Sequence, residues 1–562
     1  MEIRNYIRDI LMSTLTELED QNIEIQIKAT ADKAFGDYYS NVAMVHFKTA
    51  GFSSPIEMAL KISERLNDLT NSKIAKVVAV QPGFVNFFVS HDFLISNLNQ
   101  IIFSQESFGT SGKLKDKKII VEFTDPNPFK EFHIGHLYSN AVGEALCRLL
   151  QTQGARVIRA NYQGDVGMHV AKAIYGMMAL VSEMPDDNAP LSEKTIFLGK
   201  AYALGATKFE EDEKIKQEII SINKKIYDKD NSVAEFYDKG REWSLAHFEE
   251  IYKILGTKFD KYYFESEVGK RGKKIVEENL KKGIFEKSDG AIIFPGEKYG
   301  LHSRVFINSL GLPTYEAKEL GLAPTKYDDF AYDQSVIITG NEINEYFKVL
   351  LKALEQINPE LRVKTKHISH GMVRLPSGKM SSRTGNVITG DWLIFEAEKK
   401  LKEKYFEMDS DTAQKVAVAS IKFALLKSGI GGDTAFNFDE SISLSGASGP
   451  YLQYSYVRII SVLEKEENQN IEQVNSSSEL GIEEENLIRT LLHFEEIIEE
   501  AAEKYSPNIL CTYLFELAQS FSTFYEKEKI AGNSFRLVLT KATGQVIKNG
   551  LNILGIEVVE KM

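Results

Sequence analysis

Short apolar, β-branched runs alternating with stretches of helical periodicity predict a multi-domain α/β chain built around a doubly wound parallel sheet. Three observations carry this reading. Lys118-Ile119-Ile120-Val121-Glu122-Phe123 has the composition of a buried strand, and beyond a proline-bearing turn Leu137, Ala141, Val142, Ala145, Leu146 and Leu149 recur at helical spacing. Similar strand-like runs return at Val157 to Tyr162 and Ser335 to Thr339, separated by helical patterns. The chain has 562 residues, a length that suits about three to four domains.

Taken in order, residues 1–110 alternate helix-like and strand-like segments, and predict an α+β N-terminal domain. It ends in Ala79-Val80-Gln81-Pro82-Gly83-Phe84-Val85-Asn86-Phe87-Phe88-Val89, a pair of strands around a turn. Gly109-Thr110-Ser111-Gly112-Lys113 has linker composition. The sheet domain then spans 111–395, its ligand expected at the carboxyl ends of the strands. Around 190–290 the chain is charged and predicted to be largely helical, with Lys/Glu faces suited to solvent. Connecting helices fill 396–443, and 444–562 predicts an all-α bundle. Its Tyr451, Tyr454, Tyr456 and Phe515 would either pack the bundle or stack unpaired bases. No internal repeat or long low-complexity tract is present.

Composition narrows the class. Hydrophobic residues make up 43% and charged residues 26%, ordinary for a soluble globular protein. No window approaches the roughly 18 apolar residues of a membrane span. Met1-Glu2-Ile3-Arg4-Asn5 is unlike a signal peptide, and two cysteines, Cys147 and Cys511, point to a reducing cytoplasm. The net charge of −13 requires that any nucleic-acid face be a segregated basic patch, because the segment 441–562 is itself acidic.

Two motifs carry chemistry. His133-Ile134-Gly135-His136 stands where a strand's end passes, through Thr124-Asp125-Pro126-Asn127-Pro128, into a helix N-terminus. Free backbone N–H groups and the helix dipole favour phosphate there. Both imidazoles can donate to phosphate oxygens, and Gly135 would let a flat adenine or ribose approach the backbone. A zinc reading fails, since the pair lacks a third ligand and neither cysteine has a CxxC partner. Downstream, Arg374-Leu375-Pro376-Ser377-Gly378-Lys379-Met380-Ser381-Ser382-Arg383-Thr384-Gly385-Asn386 is a polar, cationic, Gly-flanked loop of the kind that closes over a polyphosphate. Together they suggest activation of a carboxylate by ATP, a reaction that needs positioning and charge stabilisation more than covalent chemistry.

This pair of motifs resembles the HIGH and KMSKS motifs of class I aminoacyl-tRNA synthetases, and the surrounding residues resemble the arginyl-tRNA synthetases. The run from Val121 to Leu137 is similar to that family's entry to HIGH, and Val157 to Gly167 to its next strand and loop. Gly449 to Arg458 resembles the start of its C-terminal domain; Phe35-Gly36-Asp37-Tyr38 and Pro82 to Phe88 resemble its N-terminal domain. The resemblance implies a Rossmann-type catalytic domain, a tRNA-contacting N-terminal domain and an anticodon-binding bundle. It implies that L-arginine attacks the α-phosphorus of ATP to give arginyl-adenylate. Transfer to the 3′-terminal adenosine of tRNA(Arg) follows, with Mg²⁺ accompanying ATP. It also implies that activation needs bound tRNA, and that the protein is a monomer.

Residue by residue, the resemblance places ATP against His133, Gly135, His136, Lys379, Met380, Ser381 and Ser382. Ser382 stands where KMSKS has its second lysine, and in this family a lysine before HIGH, here Lys130, is taken to replace it. The expected catalytic set is therefore His133, His136, Lys130 and Lys379. A guanidinium, planar and always charged, calls for carboxylates and amide oxygens. The candidates are Glu122, Asp125, Asn127, Tyr315, Glu319 and Glu342. Tyr315 and Glu319 are four apart and would share a helix face. Glu319 stands where the family more often has Asp, and Glu342 where it has Gln. Two alternatives remain at this point: a catalytically silent RNA-binding relative, and a class I synthetase for another amino acid.

Overall fold

The computed structural model describes residues 2–16, 25–30, 32–69, 72–374, 388–466, 474 and 480–562. They form two compact units: Met1–Thr110 with Tyr454–Glu500 and Thr512–Gly550, and Ser111–Gln453 with Ala501–Cys511 and Leu551–Met562. Among the described residues no helix is long and apolar enough to cross a membrane.

The larger unit is organised by five parallel strands, β1 (Lys118–Glu122), β2 (Arg156–Gln163), β3 (Lys261–Phe264), β4 (Gln334–Gly340) and β5 (Thr365–His370), in the order β5-β4-β1-β2-β3. The chain builds outward from β1 in one direction and then returns to its other side. That reversal leaves a crevice at the carboxyl ends of β1 and β4, the usual ligand position in such sheets. Ile119, Ile120 and Val121 are buried, which explains a strand apolar throughout rather than alternating. Helix α1 (Ile134–Thr152) follows the turn after β1, and all six apolar positions read at helical spacing from Leu137 to Leu149 are buried on it.

The stretch after β2 carries helices α2 (Met168–Ala179), α3 (Leu191–Glu211), α4 (Glu213–Asp228) and α5 (Asn231–Leu255). They enclose their own cluster, including Val170, Ile174, Met177, Phe197, Ile219 and Trp243. The structure departs from the sequence reading just beyond it. Lys261-Tyr262-Tyr263-Phe264, inside the stretch expected to be largely helical, is the edge strand β3, and α6 (Glu265–Leu280) begins at the very next residue. Four residues are too few to show an alternation against helical neighbours. The strands of a three-stranded antiparallel sheet, Glu286–Ser288, Ala291–Phe294 and Arg304–Ile307, are equally short and carry no alternation either. This sheet leads into α7 (Tyr315–Asp329).

The smaller unit holds a four-stranded sheet of Ile27–Ala29, Tyr38–Ser40, Phe84–Val89 and Ile74–Val80, with the expected hairpin pairing Val80 to Phe84. Within this unit the carboxylate of Asp37 accepts the Val89 amide at 2.7 Å and pairs with Arg489, and Tyr38 donates to Glu496 at 3.0 Å. Tyr454 is half-buried with the Arg458 guanidinium 4.8 Å from its ring. Tyr456 and Phe515 are half-buried too, as is Tyr451 of the larger unit.

Candidate active site

The residues at the crevice are placed by a turn that the backbone would not adopt unaided. Thr124, Asp125 and Phe129 have φ of 78°, 47° and 67°, in the left-handed region that side chains disfavour. Each is held from outside. The Thr124 amide donates to Ser139 Oγ at 2.9 Å, and Asn140 Nδ2 donates to Thr124 Oγ1 at 3.1 Å, both from α1. Asp125 accepts the Tyr162 amide at 2.7 Å, and the Phe129 amide donates to Ser244 Oγ at 2.9 Å. Conformations of this kind persist at functional sites when the surroundings over-determine them. Here they turn Asp125, Asn127, Lys130 and His133 toward the ends of β1 and β2.

His133 is the N-cap of α1. Its Nδ1 accepts the Gly135 amide at 3.1 Å, while His136 Nδ1 accepts the His133 amide at 3.1 Å. The rings stack with centroids 3.6 Å apart. A ring nitrogen that accepts from an amide carries no proton, so each neutral imidazole bears its proton on Nε2. Both side chains therefore present Nε2–H donors. Burial, reinforced by the Lys130 ammonium, lowers His133 to about 4. Burial and the neighbouring His133 hold His136 well below the usual imidazole range. A Cβ at Gly135 would lie 3.0 Å from the His133 ring, close enough to press on the capping imidazole.

Lys130 is half-buried beside the pair, its ammonium 5.8 Å from the Tyr202 ring. Burial, then the Lys172 charge, lowers its pKa. Among the described residues it has no ion-pair partner, so it is a cation held ready beside two neutral donors. The described chain returns to this point as well: the Gly390 amide donates to Phe132 O at 2.7 Å and the Ile134 amide to Ile388 O at 3.1 Å. Lys379, Met380, Ser381 and Ser382 lie outside the described residues.

The other half of the crevice is acidic. Glu122, at the end of β1, is buried and pairs with Lys326 Nζ at 2.6 Å; Glu265, first on α6, is buried and pairs with Lys318 Nζ at 2.5 Å. Asp125 and Glu319 belong to the same charge cluster, feel the Lys326 charge, and form no ion pair among the described residues. Burial and the Glu122 charge raise both carboxyls well above the usual range. Four carboxylates thus face two ammonium groups, and among the described residues Glu319 forms no hydrogen bond or ion pair. The Tyr162 hydroxyl is buried with no hydrogen-bond partner among the described residues, and it feels the charges of Glu265 and Glu319. Asn127 packs its side-chain oxygen over Gly164. Tyr315, at the start of α7, is half exposed with the Lys318 ammonium 5.1 Å from its ring.

Glu342 is placed differently. It follows β4, is exposed, and folds its carboxylate back over Gly340. Its electrostatic neighbour is His370 at the end of β5, not the acid cluster. The residues that sequence reasoning missed are the partners, Lys318, Lys326, Glu265 and Tyr162. A signal for one was present: Tyr315, Glu319 and Lys326 stand at i, i+4 and i+11 of α7, on one stripe. Among the described residues no three His, Cys, Asp or Glu side chains are disposed to hold a metal ion.

Comparison with known proteins was consistent across the chain. The family model described as tRNA synthetases class I (R), catalytic domain, matches residues 97–438. The DALR anticodon binding domain matches 452–562, and the arginyl tRNA synthetase N terminal domain 1–89. The chain is 33% identical to the arginine–tRNA ligase of Borreliella afzelii, over 100% of this chain and 98% of that one. It is 29% identical to that of Parabacteroides distasonis, over 100% of both. In fold it resembles the Thermus thermophilus arginyl-tRNA synthetase, with a TM-score of 0.83 at 21% identity over 100% of both chains. A Mycobacterium tuberculosis methionyl-tRNA synthetase solved with methionyl-adenylate gives 0.50 at 13% identity, over 78% of this chain and 91% of that one.

Proposed function

We infer the working of the site from one premise: the chain belongs to the class I arginyl-tRNA synthetases, and it activates L-arginine with ATP and transfers it to tRNA(Arg). The observation that carries the residue assignment is the excess of carboxylate over ammonium at the crevice. Lys326 already answers Glu122 and Lys318 answers Glu265. Asp125 and Glu319 are left to take a guanidinium, whose five donors in a planar fork can serve both. Glu122, Asn127 and Tyr315 line the same substrate pocket; Glu342 acts from its rim.

The reaction then follows the geometry. The arginine carboxylate attacks the α-phosphorus, and charge grows on that phosphorus and on the departing pyrophosphate. His133 and His136 donate Nε2–H to the phosphate oxygens at the N-terminus of α1, as neutral groups that need no proton change. Lys130 offsets charge on the leaving group from this side, and Lys379, with Met380, Ser381 and Ser382, from the loop. Mg²⁺ would accompany ATP and offset the charge of its phosphates; the imidazoles present protons and not lone pairs, so they would not hold it. A 3′-terminal ribose hydroxyl of the tRNA then displaces AMP. We divide the chain into 1–110, 111–395, 396–443 and 444–562; the matched segments 1–89 and 452–562 fall within the first and last of these, whereas the catalytic match, 97–438, runs across the 395/396 boundary. A cytoplasmic monomer is the simplest working unit.

The test is charging of total tRNA with each amino acid in turn, with ATP and Mg²⁺. Arginine alone is expected to be attached, and Lys379→Ala to abolish the reaction. Attachment of a different amino acid would overturn the pocket assignment.

A further inference from the structure

His370 is the last residue of β5, paired in register with Gly340 at the end of β4, so it stands at the carboxyl edge where the crevice opens. It is 3% exposed, and its ring lies 4.4 Å from that of Tyr138, two residues beyond His136 on α1. Its charged form would also depress His133 and His136, which places it within electrostatic reach of both. Yet it is wired the opposite way. His370 Nδ1 lies 2.8 Å from the carbonyl oxygen of Gly371. A carbonyl only accepts, so Nδ1 carries the proton and Nε2 is a bare lone pair. That Nε2 is buried and has no partner among the described residues.

The wiring is fixed by the backbone. Gly371 passes so close to the next loop that a Cβ on it would lie 1.9 Å from Gly432 O. The Met372 amide donates to Asp433 Oδ1 at 3.0 Å, which holds the carbonyl of Gly371 in place. Burial favours the neutral ring, against the Gly371 hydrogen bond and the Glu342 charge, which oppose it. A buried acceptor left unpaired destabilises a protein by roughly 1–3 kcal/mol unless something completes it.

We propose that His370 is a nucleoside-binding residue, its Nε2 accepting a hydrogen bond from a donor on the adenosine part of ATP. The inference rests on the ATP reading of this crevice and adds a chemical constraint to it. A bare lone pair cannot receive a phosphate oxygen. The donors ATP offers are the adenine 6-amino group and the ribose hydroxyls. His133 and His136 present protons and take the acceptor end of the nucleotide; His370 presents a lone pair and takes the donor end. The opposed tautomers would thus read the two ends of one molecule.

The experiment is arginine-dependent ATP–pyrophosphate exchange in the presence of tRNA, with the full-length protein. The nucleotides compared are ATP, purine riboside triphosphate, 2′-deoxy-ATP and 3′-deoxy-ATP. His370→Phe keeps a ring against Tyr138 and removes the acceptor; His370→Gln restores an acceptor at similar reach. The Phe variant is expected to raise KM for ATP about tenfold, one hydrogen bond's worth, with a smaller change in kcat. The Gln variant should recover most of it. One analogue should show the same KM in both the Phe variant and the unsubstituted protein, and the group it lacks is the partner. Equal losses on all four nucleotides, or a selective loss in the tRNA transfer step alone, would overturn the proposal. Absence of exchange in the unsubstituted protein would sink the ATP reading, and this inference with it.

Discussion

Toward α1, the crevice holds two neutral histidines and one lysine that has no ion-pair partner among the described residues; toward α7, it holds four carboxyl groups and two lysines already engaged. Both halves hang from the end of β1, a few residues apart in sequence, and they are prepared for opposite ligands. The phosphate half avoids placing a full positive charge on its rings, because neutral Nε2–H groups can donate without binding product tightly. The arginine half does the reverse: burial and the Glu122 charge hold Asp125 and Glu319 toward their protonated form, and an arriving cation is what stabilises their charge. Recognition of the polyanion rests on donor placement, and recognition of the cation on carboxyls that ionise against it.

The comparison can be broken most severely at Lys326. Lys326→Met leaves Glu122 buried and uncompensated among like charges, and should destabilise the protein by about 3–5 kcal/mol. Thermal denaturation measures this, and combination with Glu122→Gln should return most of the loss. If the single variant melts normally, the pair is not holding the acidic half together.

Next in size is Glu319→Gln. Removing the carboxylate that lacks a counter-charge should raise KM for arginine about 100-fold and leave KM for ATP nearly unchanged. A linked effect has a definite sign. The folded-state pKa values of Asp125 and Glu319 are raised, so their contribution to stability is present at low pH and lost as pH rises through those values. Arginine should restore it, and its stabilisation of the protein should be larger at pH 8 than at pH 5, with proton release on binding visible by calorimetry in buffers of different protonation enthalpy.

On the phosphate half, His136→Ala should lower kcat roughly 100-fold, the loss of one charge-stabilising donor. An unchanged rate in a folded variant would remove His136 from the mechanism. The smallest effect is expected at Glu342→Gln, exposed and apart from the acid cluster: about twofold or less in KM for arginine. A large effect there would mean that the pocket extends to the end of β4.

Much of the phosphate half was legible in the sequence because its chemistry is local. His133, Gly135 and His136 lie within one helical turn, and strand, turn and helix each announce themselves over β1 and α1. The acidic half was half legible. Glu122, Asp125 and Asn127 sit in the same local unit, but the cations that answer the buried acids come from α7, and Lys326 is 204 residues from Glu122. Sequence reasoning named Glu122 as a ligand for a guanidinium without seeing that Lys326 already engages it. Nor could it separate the tautomers of His136 and His370, since those are set by which backbone group each Nδ1 meets. Strand β3 was missed because four aromatic and basic residues between helices carry no periodicity of their own.

Because His133 and His136 are each tied at Nδ1 to an amide of the first turn of α1, their rotation is arrested when the helix forms, not when a nucleotide arrives. Immobilising a side chain at the moment of association typically takes about 0.5–1.5 kcal/mol from affinity. Here that entropy is surrendered during folding, and an incoming phosphate meets two donors that have nowhere else to point.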